Sequence, residues 1–428
     1  MAAACQLPGD GLGKPAARVI DHQDALNFFH GRSSGRRDHG RLTIRNRAGA
    51  AGAYSETVAG CWRFGLAAGC CVGGPNLRSG SVHTPAFQAK RQFLQAPQTW
   101  GASAAGFSCI ETHMSWLFLT TDRVYKIKKP VHFPYLDFTT LAARELYCRE
   151  EVRLNTRLAP GIYLGLMALQ WQDGRFSLVP EAALTAPWLT VDWLVVMQRL
   201  PADRMLPALM AGRTLTVAGV DALADTLLAF YRSVTVLPMT PAAYLARFQY
   251  EQACNREVLL RPQFDLRDAA SALKQLDRAL QQGAALLQAR ARAGRIVDGH
   301  GDLRPEHVAL LQVPVVIDCL EFNPQLRMVD PFDELAYLGL ECSLAGAPWV
   351  GPRLVSRCAA LLGDQPPAAL LPLYTAHRAL LRARLAMAHL LDPQPRTPQR
   401  WPALAQRYID AAGPALREFN VSLRPGWP

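Results

Sequence analysis

The stretch DGHGDLRPEHVALLQVPVVIDCLEFN, residues 298–323, decides how this chain is read. It sets His300, Gly301 and Asp302 in a loop ahead of one short strand, 307–312, and Asp318 at the end of the apolar run Val315-Val316-Ile317 in a second, 314–320. Acidic groups at the ends of two strands joined by a tight turn can converge on one point. Phosphoryl transfer assisted by a metal needs that convergence, because one carboxylate receives the proton of the attacking group while another holds the ion against the phosphate oxygens. Alone, His-Gly-Asp is an ordinary turn, and either Asp would carry little weight.

Upstream, SWLFLT (115–120) and RVYKIK (123–128) read as two strands separated by Thr121-Asp122. In the second, Lys126 and Lys128 fall on one face by the two-residue period of a strand. A strand lysine with apolar flanks suits contact with nucleotide phosphates, provided that a carboxylate on the next helix holds it. That helix is expected within LDFTTLAARELYCREEVRLNTRLAP (136–160), with Thr139 or Thr140 as its N-cap and Pro160 as its stop. It offers Glu150 and Glu151. Glu151 shares a face with Tyr147, Leu154 and Leu158, so it is the preferred partner of Lys126. Lys128 and Lys129 are expected to be solvated charges.

Further strands are expected at 162–171, 176–180 and 193–200. Beyond Pro201 the pattern becomes helical: 215–231, 243–260, 269–291, 333–344, 352–362, 371–391 and 401–416 carry apolar residues at three- and four-residue spacing. Asp330 and Asp333 lie just ahead of an apolar run and are expected to start a helix rather than to serve chemistry. His377 and His389, and Trp188, Trp193 and Trp349, are assigned to packing.

Composition limits the alternatives. The 428 residues are 50% hydrophobic and 8% aromatic, enough for a sizeable core. The net charge of +11 is lopsided: residues 1–107 hold 12 Lys and Arg against 5 Asp and Glu, whereas the rest holds 34 against 30. The first 85 residues are rich in Gly and Arg without periodicity, and they are expected to form a disordered extension, with a basic arm or a transit segment as alternatives. No apolar stretch reaches 18 residues, and the N-terminus lacks the pattern of a secretory signal. The ten Cys include no CxxC pair, so neither a disulfide framework nor a zinc site is expected, and the cytoplasm is the expected location.

Taken together, ETHMSWLFLTTDRVYKIKKPV (111–131), EEVRLNTRLAP (150–160), WLVVMQRLPADRM (193–205), HGDLRPEHV (300–308) and VIDCLEFN (316–323) resemble the aminoglycoside-phosphotransferase-like branch of the protein-kinase-like superfamily, in an uncharacterised bacterial subgroup. The resemblance covers about residues 87–400. It implies a two-lobed α+β protein-kinase-like fold: after the extension (1–85), a small antiparallel-sheet N-lobe with one key helix (86–198), then a larger helical C-lobe bearing the catalytic loop (199–428).

The resemblance also implies an ATP-dependent phosphotransferase using Mg²⁺, or Mn²⁺, and acting on a hydroxyl or amine of a small molecule. Asp302 would be the catalytic base, with His300 and Gly301 shaping its loop. Asp318 would bind metal, and Lys126 with Glu151 the phosphates. The backbone of Met197, Gln198 and Arg199 would meet adenine. Arg304 stands where protein kinases place a lysine that reaches the transferred phosphate; it would either stabilise charge there or solvate the loop. ATP and the acceptor are the expected partners, with no membrane and no nucleic acid.

Two departures qualify this reading. Where the family pattern has a metal-binding Asn, five residues after the catalytic Asp, this chain has His307, and imidazole is a poor ligand for a hard ion. Glu321 or Asp302 would then compensate, a softer ion would serve, or the second metal would be absent. The turn 111–115 also contains no Gly to cradle phosphates. Two other readings therefore stay open: a kinase-like nucleotide-binding or scaffolding module with little turnover, and a protein Ser/Thr kinase, which the missing DFG and APE segments disfavour.

Overall fold

A computed structural model describes residues 85–424, apart from 134, 135, 393, 394 and 396. The extension expected over 1–85 lies outside the described residues except for Pro85, and 10 Lys and Arg against 5 Asp and Glu lie there with it.

The N-terminal part begins with α1 (Phe87–Gln95), followed by β1 (Ser108–Glu111), β2 (Ser115–Leu119), β3 (Arg123–Lys128), the short pair β4 (His132–Phe133) and β5 (Leu136–Asp137), α2 (Leu141–Asn155), β6 (Tyr163–Gln172), β7 (Arg175–Pro180) and β8 (Thr190–Gln198). Six strands form one antiparallel sheet in the order β1-β2-β3-β8-β6-β7. Lys126 pairs with Val195 of β8, so its strand is central. One sheet face packs on α2 around Cys148, Trp193 and Val195. The other packs on α1 around Leu94, Trp100 and Phe118. Neither α1 nor β1 is expected from the sequence; α1 turns Lys90 inward beside Leu94, so its buried face does not read as wholly apolar. The buried Lys90 ties α1 to the sheet through Asp192 (2.9 Å), which also takes Arg144 of α2 (2.7 Å).

Thr140 caps α2, its hydroxyl accepting from the Ala143 N–H, a contact worth about 1 kcal/mol. Leu136 and Asp137, ahead of the expected cap, belong to the β4–β5 pair, and the helix ends at Asn155, short of the stop expected at Pro160.

The C-terminal part comprises α3 (Leu206–Ala211), α4 (Val217–Ser233), α5 (Pro241–Leu259), α6 (Ala269–Gln282), α7 (Ala284–Arg292), β9 (Val297–Asp298), β10 (Val308–Ala309), β11 (Val315–Val316), α8 (Pro324–Arg327), β12 (Met328–Val329), α9 (Pro331–Leu344), α10 (Val350–Leu362), α11 (Leu370–Ala388) and α12 (Arg400–Ser422). The helix expected over 269–291 is two helices broken at Gly283. A Cβ there would lie 2.7 Å from Leu373 Cδ2 of α11 and 3.0 Å from the Ala279 carbonyl, so any side chain would have to displace Leu373. This is the two-lobed α+β architecture expected: an antiparallel sheet with one helix packed on its inner face, and a larger helical body.

Trp193 is buried, but Trp188 is 76% exposed and Trp349 38% exposed, which corrects their assignment to the core. Trp188 sits in a short turn of 3₁₀ helix, 187–189, where no strand or helix period fixes a face.

Candidate active site

Three elements converge on Lys126. Strand β3 places Lys126 and Lys128 on the same face, toward α2, and α2 returns Glu151 on its inward side with Cys148, Leu154 and Asn155. The β10–β11 hairpin supplies Asp318. Ala309 and Val315 of that hairpin pack in the same apolar cluster as Cys148, Val195 and Met197, which seats it beneath the sheet.

The resulting geometry is a chain of alternating charge. Lys126 Nζ lies 3.0 Å from Asp318 Oδ1 and 2.8 Å from Glu151 Oε1. The other Glu151 oxygen takes Lys128 Nζ at 2.7 Å, and Lys128 continues to Glu321 Oε1 at 2.5 Å. Lys128 is thus not a solvated charge but a fully buried one, lying over the Phe138 ring. Its second partner is 193 residues away in sequence, which hides the pair from any local reading. Lys129 bonds Glu111 (2.7 Å) and the Thr112 carbonyl, fastening the Gly-less turn. Glu150, the alternative to Glu151, points out and pairs with Arg153.

Burial alone would raise the Asp318 carboxyl, but Lys126 and then His307 override it and hold it well below the usual carboxylate range. Burial likewise opposes the ammonium forms of Lys126 and Lys128, and the surrounding carboxylates outweigh it in both. Glu151, between two lysines, is lowered despite burial. Glu321, with one, is raised chiefly by burial.

The Asp302 loop is held from below. Gly301 adopts φ +87°, a conformation that glycine takes without strain. Glu334 of α9 accepts from the N–H groups of both His300 (2.9 Å) and Gly301 (2.5 Å), and takes the Tyr231 hydroxyl at 2.9 Å. Sequence reading missed this anchor, although an acid in the first turn of an apolar helix is a visible signal. His300 is wholly buried, its Nε2 bonding the Ile317 carbonyl (2.9 Å) and its Nδ1 accepting from the Asp302 N–H. Burial, then His307, pushes its pKa down to about 3, so it is a neutral staple between the loop and the strand that carries Asp318.

Asp302 receives Arg304 on Oδ2 (2.8 Å) and the Tyr337 hydroxyl on Oδ1 (3.3 Å). Arg304 is 1% exposed, which removes the solvated-loop alternative: its guanidinium lies against the carboxylate. His307 bridges the two Asp residues. Its Nδ1 lies 2.8 Å from the Asp302 carbonyl, which can only accept, and its Nε2 lies 3.5 Å from Asp318 Oδ2. In a neutral imidazole that donates from Nδ1, Nε2 carries a lone pair. Nε2 and Asp318 Oδ2, 3.5 Å apart, are then two atoms that one cation could share.

Among the described residues no group of three or more His, Cys, Asp or Glu side chains is assembled to hold a metal ion by itself. Glu321, considered as a metal or substrate contact, is instead committed to Lys128. At the end of β8, Met197 is buried while Gln198 and Arg199 are exposed. The Gln198 N–H bonds the Ile162 carbonyl and the Arg199 N–H the Asp122 carbonyl, so neither donor is available to a base. Asp330 caps α9 as expected, accepting from the Phe332 N–H, and Asp333 pairs with Arg378.

No family model matches the chain. By sequence it is similar to uncharacterized proteins of Mycobacterium tuberculosis and Mycobacterium bovis, 28% identical over 322 residues, 73% of this chain and 60% of theirs. The chain thus spans less than two thirds of the length of these relatives. Solved structures similar to it include a choline/ethanolamine kinase family protein from Mesorhizobium loti (TM-score 0.48, 15% identity, 79% of this chain and 99% of that one). Others are an ethanolamine kinase from Plasmodium vivax (0.41, 12%, 74% and 82%) and a putative aminoglycoside phosphotransferase from Ralstonia eutropha (0.41, 11%, 72% and 92%).

Proposed function

We propose that this chain is an ATP-dependent phosphotransferase that moves the γ-phosphoryl group to a hydroxyl or amine of a small molecule. The observation that carries the reading is the convergence of Lys126, Glu151 and Asp318 within 3.0 Å, with His307 joining Asp318 to Asp302. Lys126, held by Glu151, receives the nucleotide phosphates. Asp302, oriented by Arg304 and Tyr337, takes the proton of the acceptor as its oxygen or nitrogen bonds to phosphorus and the bond from phosphorus to the β,γ-bridging oxygen breaks, releasing ADP.

The donor set fits one ion. Asp318 Oδ2, turned away from Lys126, is a hard oxygen ligand, and His307 Nε2 lies at a separation suited to a shared cation. Asp318 and His307 would hold such an ion, and a bound Mg²⁺ or Mn²⁺ would supply charge neutralisation at the phosphates. Adenine contact near Met197, Gln198 and Arg199 then uses carbonyl oxygens or donors beyond Arg199. A cytoplasmic setting accords with the six free cysteines among the described residues, where no helix is long and apolar enough to cross a membrane.

A second reading, a nucleotide-binding module with little turnover, is favoured by His307 and by the committed hinge amides. A metabolite-library phosphorylation screen separates the two: the enzyme reading expects a phosphorylated product from wild type that falls about 10²–10⁴-fold in Asp302→Ala. Background from both proteins, with either Mg²⁺ or Mn²⁺, removes it.

A further inference from the structure

We propose that Lys128 and Glu321 are positioning residues for the nucleotide-phosphate site, a second clamp that fixes both Glu151 and the backbone bearing Asp318. This inference rests on the reading of Lys126, Glu151 and Asp318 given above and deepens it.

The argument begins with the backbone. Asp318 has φ +62°, a left-handed conformation that residues with a Cβ seldom adopt, Asp less rarely than most, and that the surroundings here hold in place. Anchors lie on both sides of it. The Asp318 N–H donates to the Tyr163 hydroxyl (3.2 Å), and the Cys319 N–H donates to Asn155 Oδ1 (2.8 Å). Three residues beyond Asp318, Glu321 is tied to Lys128 on the central strand. Helix α2 supplies one of these contacts through Asn155, which stands one turn after Glu151 and bonds its carbonyl (2.8 Å).

The side chains complete the argument. Glu151 is wholly buried and divides its oxygens between the two lysines. With Lys128 removed, Oε2 would face a desolvated void, and the carboxylate would turn both oxygens toward Lys126, drawing the ammonium toward α2 and away from the phosphates. Lys128 therefore sets how much of Glu151 reaches Lys126. Three carboxylates alternate with two ammonium groups, so no lysine in the chain lacks a carboxylate on either side. Met114, Phe138, Leu320 and Phe322 form an apolar cluster that also packs Tyr147 of α2, joining the Gly-less turn to the Asp318 segment.

The test measures MgATP affinity and unliganded melting temperature for wild type, Lys128→Met, Glu321→Gln and the double variant Lys128→Met/Glu321→Leu. A purely structural pair would lower the melting temperature and leave affinity alone. The positioning role predicts that the double variant, which strands only one oxygen of Glu151, stays folded yet binds MgATP about tenfold more weakly, by analogy with other residues that orient a ligand-binding group. Glu321→Gln, which keeps an acceptor for Lys128, should show a smaller loss. Affinity within about twofold of wild type in the double variant, or in Glu321→Gln should the double not fold, overturns the proposal. A wild type that binds no MgATP sinks the parent reading and this one with it, before any variant is made.

Discussion

Among the buried charge clusters of the described residues, two differ in a telling way: one is closed on itself, and the other has features of a working site. In the helical lobe, Arg290 is gripped by Asp330 and Asp364 through four hydrogen bonds of 2.5–3.0 Å, and Asp330 also takes the Tyr374 hydroxyl and the Phe332 N–H. Planar forks meet planar carboxylates there, so the geometry is closed and nothing is left to bind. Around Glu151 and Asp318 the cations are lysines, compact charges that can move from one oxygen to another. One of their partners, Asp318, is 23% exposed at the side chain and carries a left-handed backbone. Burial and ion pairing are common to both clusters. Strain, partial exposure and exchangeable partners belong to one.

The comparison can be broken most directly at Arg290. Arg290→Ala strands two carboxylates and is expected to cost about 3–5 kcal/mol in urea unfolding, with MgATP affinity of the folded fraction unchanged. Weaker nucleotide binding at wild-type stability would show that the helical cluster is part of the site after all.

A smaller effect is expected from acid. Burial first, then Arg378 and Arg384, push His377 down to about 4, against the opposing pull of Asp333 and Glu251. The unfolded chain takes up this proton near pH 6.5 and the folded chain does not, so stability is full above that value and declines as pH falls toward 4. His377→Leu should flatten this decline by up to about 1.4 kcal/mol per pH unit. An unchanged slope assigns the acid sensitivity to other groups, such as His300 and His389, both held low by burial.

The smallest effect concerns the ion. If Nε2 of His307 faces a cation shared with Asp318, His307→Asn should preserve Mg²⁺-supported turnover within a few-fold and reduce any preference for Mn²⁺. A collapse with both ions would show that the imidazole itself is required, as the bridge between the Asp302 carbonyl and Asp318.

What could be read in the sequence was what local periodicity expresses. The two-period of VYKIKK and the inward face of α2 put Lys126 and Lys128 opposite Glu151, the hairpin spacing drew Asp318 toward the Asp302 loop, and the family resemblance set Asp318 beside Lys126. Lys128 shared the face of Lys126, so its burial was implied, yet a buried lysine is credible only with acids in sight, and Glu321 comes into view only through the fold. Glu334 left a signal, an acid in the first turn of an apolar helix, but its partners in the Asp302 loop come into view only through the fold. The break at Gly283 depends on a neighbouring helix, and α1 on a lysine paired across about a hundred residues.

The central claim is that the cleft cluster performs phosphoryl transfer with Asp302 as its base. Its most direct test is a screen of a metabolite library with radiolabelled ATP, comparing wild type with Asp302→Ala in Mg²⁺ and in Mn²⁺. The account predicts a labelled product that wild type forms and Asp302→Ala does not; equal label from both proteins, or none from either, contradicts it.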